Sequence, residues 1–315
     1  MEQIFMPFLK NFLDPSLFIY MNLPPIIVTA LACREIRKKE RGPVTFKRGL
    51  QIWSKITLET SLILGIMACM VGVQGITAWS GPVTEGVYPS VIIALTTFAW
   101  GGILTGVAFS VVNNSNCEKP QISALGVPIT IVIIAYFQMQ QISSTGSSPK
   151  IFFLNPFAWS VYGTIFIICF ILNLAARSQK RKLSLLTEAN VAATLGGAAI
   201  GICLWFTEGD DYNSSREAIF LTANIMFLGC WNYLLSYFFS LTTSIGVVEN
   251  LRIKTWHFAE AASFFTFLIY APIGATEFFR EGVDNAAIQT QHEAQEIRIE
   301  QLEAQIRLLT ANQKS

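Results

Sequence analysis

Apolar runs and short polar links alternate along almost the whole chain. The runs are Leu17–Cys33, Ser61–Trp79, Tyr88–Val112, Ile122–Met139, Pro156–Ala175, Ala189–Phe206, Ala218–Leu241 and Phe258–Ile273. Most reach the roughly 18 to 20 residues a helix needs to cross a bilayer. The pattern predicts an all-α fold, a polytopic transmembrane helix bundle of about eight spans. The fourth and eighth runs are the weakest, being short or carrying a polar residue. Pro24 and Pro25 interrupt the first run, which can kink a membrane helix without forbidding it. Residues 1–13 read as an amphipathic interfacial segment, without the basic start and cleavage site of a signal peptide.

The links carry charge unevenly. Arg34, Arg37, Lys38, Lys39, Arg41, Lys47 and Arg48 follow the first run. Arg177, Lys180, Arg181 and Lys182 follow the fifth, and Arg252 and Lys254 the seventh. The link Gln140–Asn155 has one lysine, and Glu208–Glu217 is acidic. Basic links face the cytoplasm, so the N-terminus is predicted outside. With eight spans the C-terminus returns outside; with one fewer it is cytoplasmic. The expected location is a bacterial inner membrane.

One layout occurs twice. Asp14-Pro15, a span, a basic loop, Glu59 and a Gly-rich span lead to a span with threonines and Trp100. Asn155-Pro156, a span, a basic loop, Glu188 and a span with Gly196, Gly197 and Gly201 lead to one with Thr222 and Trp231. This divides the chain into halves, 14–142 and 143–280, which read either as two parallel four-span repeats or as chance likeness between membrane hairpins. Beyond them, 281–315 is polar with apolar residues at Ile299, Leu302, Ile306 and Leu309, the spacing of a coiled-coil tail. Such a tail predicts self-association or docking on a partner.

Composition agrees with a lipid environment. Of 315 residues 52% are hydrophobic and 14% charged, against roughly 25% charged in soluble domains. A net charge of +1 with no basic domain gives no footprint for nucleic acid. Six cysteines without CxxC spacing read as small buried hydrophobes, and two histidines are too few for an imidazole metal site. No phosphate-cradling loop, nucleophile elbow or metalloprotease motif is present, so neither enzyme, metal nor cofactor is expected.

The candidate polar residues lie in or beside the spans. Glu59 and Glu188 are read at the cytoplasmic start of the second and sixth, either complementing a helix dipole or making an ion or gating contact. Glu260 lies just inside the eighth span with His257 one turn before it, a pair that either serves function or snorkels to the interface. Asn224 and Asn232, eight residues apart on the seventh, predict interhelical hydrogen bonds. Thr96 and Thr97 either line a pore or bond back to the preceding turn. Gly65, Gly72, Gly101 and Gly102 are small residues that let helices pack closely.

The hairpin 59–113 resembles the MotA/TolQ/ExbB proton-channel family. Gly65, Ala68, Cys69 and Gly72 stand where that family's first hairpin helix has Gly-x-x-Gly-Thr-x-x-Gly. Ala94, Leu95, Thr96, Thr97, Gly101 and Asn113 stand where its second has Ala-Leu, threonine, glycine and asparagine. The likeness covers residues 14–115 and departs at Cys69, a threonine in the family. It implies a pore lined by Thr96, Thr97 and Cys69, a homo-oligomer, and a single-span partner supplying an aspartate. Three readings follow: a stator-like subunit of an ion-driven or channel complex, a scaffold recruiting partners through its coiled coil, or a small two-repeat secondary transporter.

Overall fold

The computed structural model describes residues 10, 12–78, 83–112, 121–123, 126–144, 153–176, 182–207, 212–242 and 258–270. Residues 1–9, His257 and the heptad positions Ile299, Leu302, Ile306 and Leu309 lie outside the described residues. The chain divides into two compact units, Met1–Ile269 and Tyr270–Ser315. Among the described residues every regular element is a helix.

The helices are α1 (Pro15–Glu40), α2 (Phe46–Ala78), α3 (Val83–Val112), α4 (Gly126–Ser144), α5 (Pro156–Ala176), α6 (Lys182–Thr207) and α7 (Tyr212–Thr242). A shorter apolar helix, α8, covers Phe258–Tyr270. Each coincides with one predicted run. Six are long and apolar enough to cross a bilayer: α1, α2, α3, α5, α6 and α7. The apolar stretches of α4 and α8, Gly126–Tyr136 and Phe258–Tyr270, are shorter. The protein is thus an all-helical membrane protein.

Helix starts follow local chemistry. Asn155 caps α5, its Oδ1 accepting from the backbone N–H of Phe157 (3.0 Å) and Ala158 (3.1 Å), with Pro156 at the first helical position. Thr45 does the same for α2, accepting from the Arg48 N–H at 3.4 Å. Arg41, at φ 51°, turns the chain out of α1. The Arg48 guanidinium then returns to Glu40 in a two-pronged pair at 2.5 and 2.7 Å. These contacts start α2 well before its apolar run. Glu59 and Glu188 therefore stand inside α2 and α6, and neither first turn is acidic.

Two helices form the interior. The apolar span of α2 is 83% buried within the chain and that of α7 72%, whereas α1, α3 and α6 reach 39% and α5 only 11%. α2 packs on α1, α3 and α7; α7 packs on α6, α2 and the margin of α4. The outer side of α5 leaves Phe157, Ile167, Ile171 and Leu172 more than half exposed, a surface suited to lipid and not to water.

Small residues set the helix spacing. A Cβ on Gly101 would stand 2.8 Å from the Ser61 carbonyl oxygen, and one on Gly65 3.2 Å from the Phe98 Cα. In the other hairpin a Cβ on Gly197 would meet Ile225 at 2.8 Å, and Gly229 presses against the Thr194 side chain. Gly72 is buried, while Gly102 and Gly106 have nothing within 4 Å.

Candidate functional site: the seam between α2 and α7

Each hairpin closes a three-helix junction in its own way. In the first, the Met21 methyl of α1 reaches to 3.3 Å of where a Gly101 Cβ would be, beside Ser61. In the second, three polar side chains meet. Tyr162 of α5 donates its hydroxyl proton to Asn190 Oδ1 of α6, and Asn232 Nδ2 of α7 donates to the same hydroxyl at 3.0 Å. Asn190 Nδ2 donates to the Gly229 carbonyl at 3.0 Å, tying α6 to α7 again. Tyr162 and Asn190 are buried, so each bond is protected from competition by water.

The seam between the two interior helices holds an acid. Glu59 lies on α2 within the membrane-length stretch Phe46–Val73, and its Oε2 is buried. It lies within electrostatic reach of the buried Tyr237 of α7, with Tyr233 one turn from Tyr237. Tyr233 stacks on Phe258, ring centroids 5.0 Å apart, which brings α8 to the same place. Gly49 faces Cys33, about two turns before the end of α1, and Glu59 sits roughly 15 Å further along α2 at 1.5 Å per residue. The foot of the seam is closed by the stretch 121–123, whose Ile122 N–H donates to the Leu241 carbonyl at 3.2 Å.

No family model, curated protein or solved structure matches this chain.

The role of each remaining candidate rests on its surroundings. Thr96 and Thr97 are fully buried and donate to the carbonyls of Ile92 (2.6 Å) and Ile93 (2.7 Å), one turn back. Cys69, equally buried, donates its thiol to the Ala94 carbonyl at 3.5 Å across the α2–α3 interface. Asn224 donates to Phe220 O in its own helix at 3.2 Å, and its Oδ1 is buried without a hydrogen-bond partner among the described residues. Of the two asparagines expected to bond between helices, Asn232 does so, to Tyr162. Glu188 is half-buried on α6 and Glu260 exposed on α8. Among the described residues no three His, Cys, Asp or Glu side chains gather as a metal site.

Four polar residues of the interior escaped sequence reasoning: Tyr162, Asn190 and the Tyr20–Gln138 pair, in which Gln138 Nε2 donates to the Tyr20 hydroxyl. Their signal was available, since each is a polar group inside an apolar run, where a partner is obligatory. Their pairing was not, because it joins helices far apart in sequence.

Proposed function

We propose that this protein is an ion-handling subunit of a membrane complex, non-enzymatic and working as a homo-oligomer, with Glu59 as the group that takes up and releases the proton. The observation that carries this is the acid at the seam. A carboxyl inside a membrane span is costly, and such groups mark ion pathways. The tight α2–α3 hairpin, with Thr96, Thr97 and Cys69 between its helices, supports kinship with the MotA/TolQ/ExbB subunits. In those the proton-carrying carboxyl is expected from a single-span partner; Glu59 offers one from within the chain. A bacterial inner membrane, with the N-terminus outside, follows from the basic links.

The bundle has eight crossings in this reading, with α8 as the last and with α4 and the stretch 121–123 before it running along α1. Lys39 donates to Gln121 at one end, Leu31 approaches Gly126, and Gln138 donates to Tyr20 at the other. The stretch Tyr20–Lys39 measures roughly 28 Å, close to the ~30 Å hydrocarbon core.

The two halves are an internal duplication. Phe12-Leu13-Asp14-Pro15 is matched by Phe153-Leu154-Asn155-Pro156. Phe12 stacks on Trp100 at 4.7 Å, and Phe153 meets Trp231 at 5.6 Å. The pair Gly65–Phe98 is matched by Thr194–Gly229, and the junction Met21, Ser61, Gly101 by Tyr162, Asn190, Asn232. Duplication serves the stator-like and the transporter reading alike. The separate unit Tyr270–Ser315 favours a second reading, a scaffold that recruits partners through its heptads.

Purified protein in liposomes, driven by a potassium-diffusion potential and followed with an internal pH dye, tests the first reading. Wild type is expected to pass protons above empty vesicles, and Glu59→Gln to return to that background with unchanged melting. Flux that persists in Glu59→Gln removes the acid from the mechanism. Wild-type vesicles as tight as empty ones, with and without co-purified partners, favour the scaffold.

A further inference from the structure

The two halves meet through unlike surfaces. The third helix of the second half, α7, lies on the second helix of the first, α2. Their reciprocal surfaces stay open. Ile103 and Val107 of α3 are 44% and 48% exposed, while Leu234 and Phe238, which match them on α7, are each 1% exposed. Gly102 and Gly106 match the buried Tyr233 and Tyr237 and have nothing within 4 Å. On α2, Glu59 lies within electrostatic reach of Tyr237 of α7, and Ile63, Ile66 and Met70, which share its helix face by spacing, are fully buried. The matching positions on α6 are Glu188, Ala192, Leu195 and Ala199, none of them buried, with Ile200 beside them 44% exposed.

We infer that the open α3 face of one chain docks on the open α6 face of a second copy, repeating between chains the contact that α7 makes on α2 within one. The inference rests on the duplication proposed above and not on proton transfer by Glu59. An interface between unlike surfaces propagates until it closes, and each chain supplies one of each surface. The smallest closed assembly is a two-chain ring with four such contacts, two inside chains and two between them. Both halves share one sense across the membrane, as a ring about the membrane normal requires. α1 and α7 end, and α2 and α4 begin, at the same side, through the contacts of Lys39 with Gln121, Cys33 with Gly49 and Ile122 with Leu241. α6 runs opposite to α7, since Gly201 meets Thr222 and Thr194 meets Gly229. The two faces also suit each other: glycines on α3 oppose alanines on α6, and small residues let membrane helices approach closely.

Thiol cross-linking of the full chain in native-like nanodiscs tests this, with the six native cysteines replaced by alanine or serine. Two differently tagged copies, one carrying Gly106→Cys and the other Glu188→Cys, are expected to give a mixed dimer with a short bis-maleimide. The matching pair Glu59→Cys and Tyr237→Cys in one chain should cross-link internally. An internal adduct without the mixed dimer overturns the docking and leaves the seam and its acid standing. Absence of both removes the docking along with the seam. Adducts joining only identical positions also overturn it, because they report a like-to-like contact. Independently, the unsubstituted protein is expected at a native mass of two chains, falling to one in Gly102→Leu/Gly106→Leu with unchanged monomer melting. A wild-type monomer, or a variant that stays dimeric, counts against the interface.

Discussion

Gly101 and Gly102 are neighbours with opposite surroundings. A side chain at Gly101 would run into the Ser61 carbonyl and the Met21 methyl, whereas at Gly102 it would enter open space. Gly101→Leu is therefore expected to destabilise the bundle by about 1–3 kcal/mol, the usual cost of overpacking, read as a lower unfolding midpoint in detergent. Gly102→Leu should leave the isolated monomer's midpoint within about 0.5 kcal/mol. Asn190 and Ser61 make a second such pair, standing at matched places of the two junctions. Asn190→Ala strips a buried tyrosine hydroxyl of its acceptor and is expected to cost about 1–3 kcal/mol. The Ser61 hydroxyl is buried without a partner among the described residues, so Ser61→Ala should be neutral or slightly stabilising in the same melt. A loss in Ser61→Ala equal to that in Asn190→Ala would sink the distinction between the two junctions.

At the scale of elements, helix identity was written in the apolar runs, but helix ends were not. α2 starts at Phe46, inside a basic stretch that hydropathy assigns to a link, because Thr45 caps it and the Arg48–Glu40 pair holds the turn. α4 and α8 are the elements on which the crossing number turns, and α4 has the longer run of contacts. Its apolar stretch Gly126–Tyr136 is short, yet its contacts run from Leu31 to Tyr20 of α1, and Gln121 ahead of it reaches Lys39. Single cysteines in 113–120 and in 145–150, probed with a membrane-impermeant maleimide on intact and opened cells, should label from opposite sides. Labelling from one side would mean that α4 turns back within the bilayer.

For the whole molecule, the decisive feature is that the interior consists of one helix from each half. α2 and α7 are buried because the halves pack through unlike faces, and the same packing leaves α3 and α6 open. It also leaves Glu59 half-buried on α2, with its Oε2 buried and within electrostatic reach of Tyr237. An acid at the edge of a single hairpin becomes an acid at a seam.

The sequence by itself determined the class of the protein, the order of its helices and the uneven placing of charge along its links. These depend on hydropathy summed over about 20 residues and on the sign of short links, both local quantities. It also marked Glu59, Gly65 and Gly101 as residues out of keeping with an ordinary apolar helix face. Only the tertiary structure decided which polar groups find one another. Tyr162, Asn190 and Asn232 meet from three helices, while Thr96 and Thr97 bond within their own. Inside a bilayer a buried hydroxyl or amide must take whatever partner lies within reach, and that reach is set by helix packing rather than by spacing along the chain.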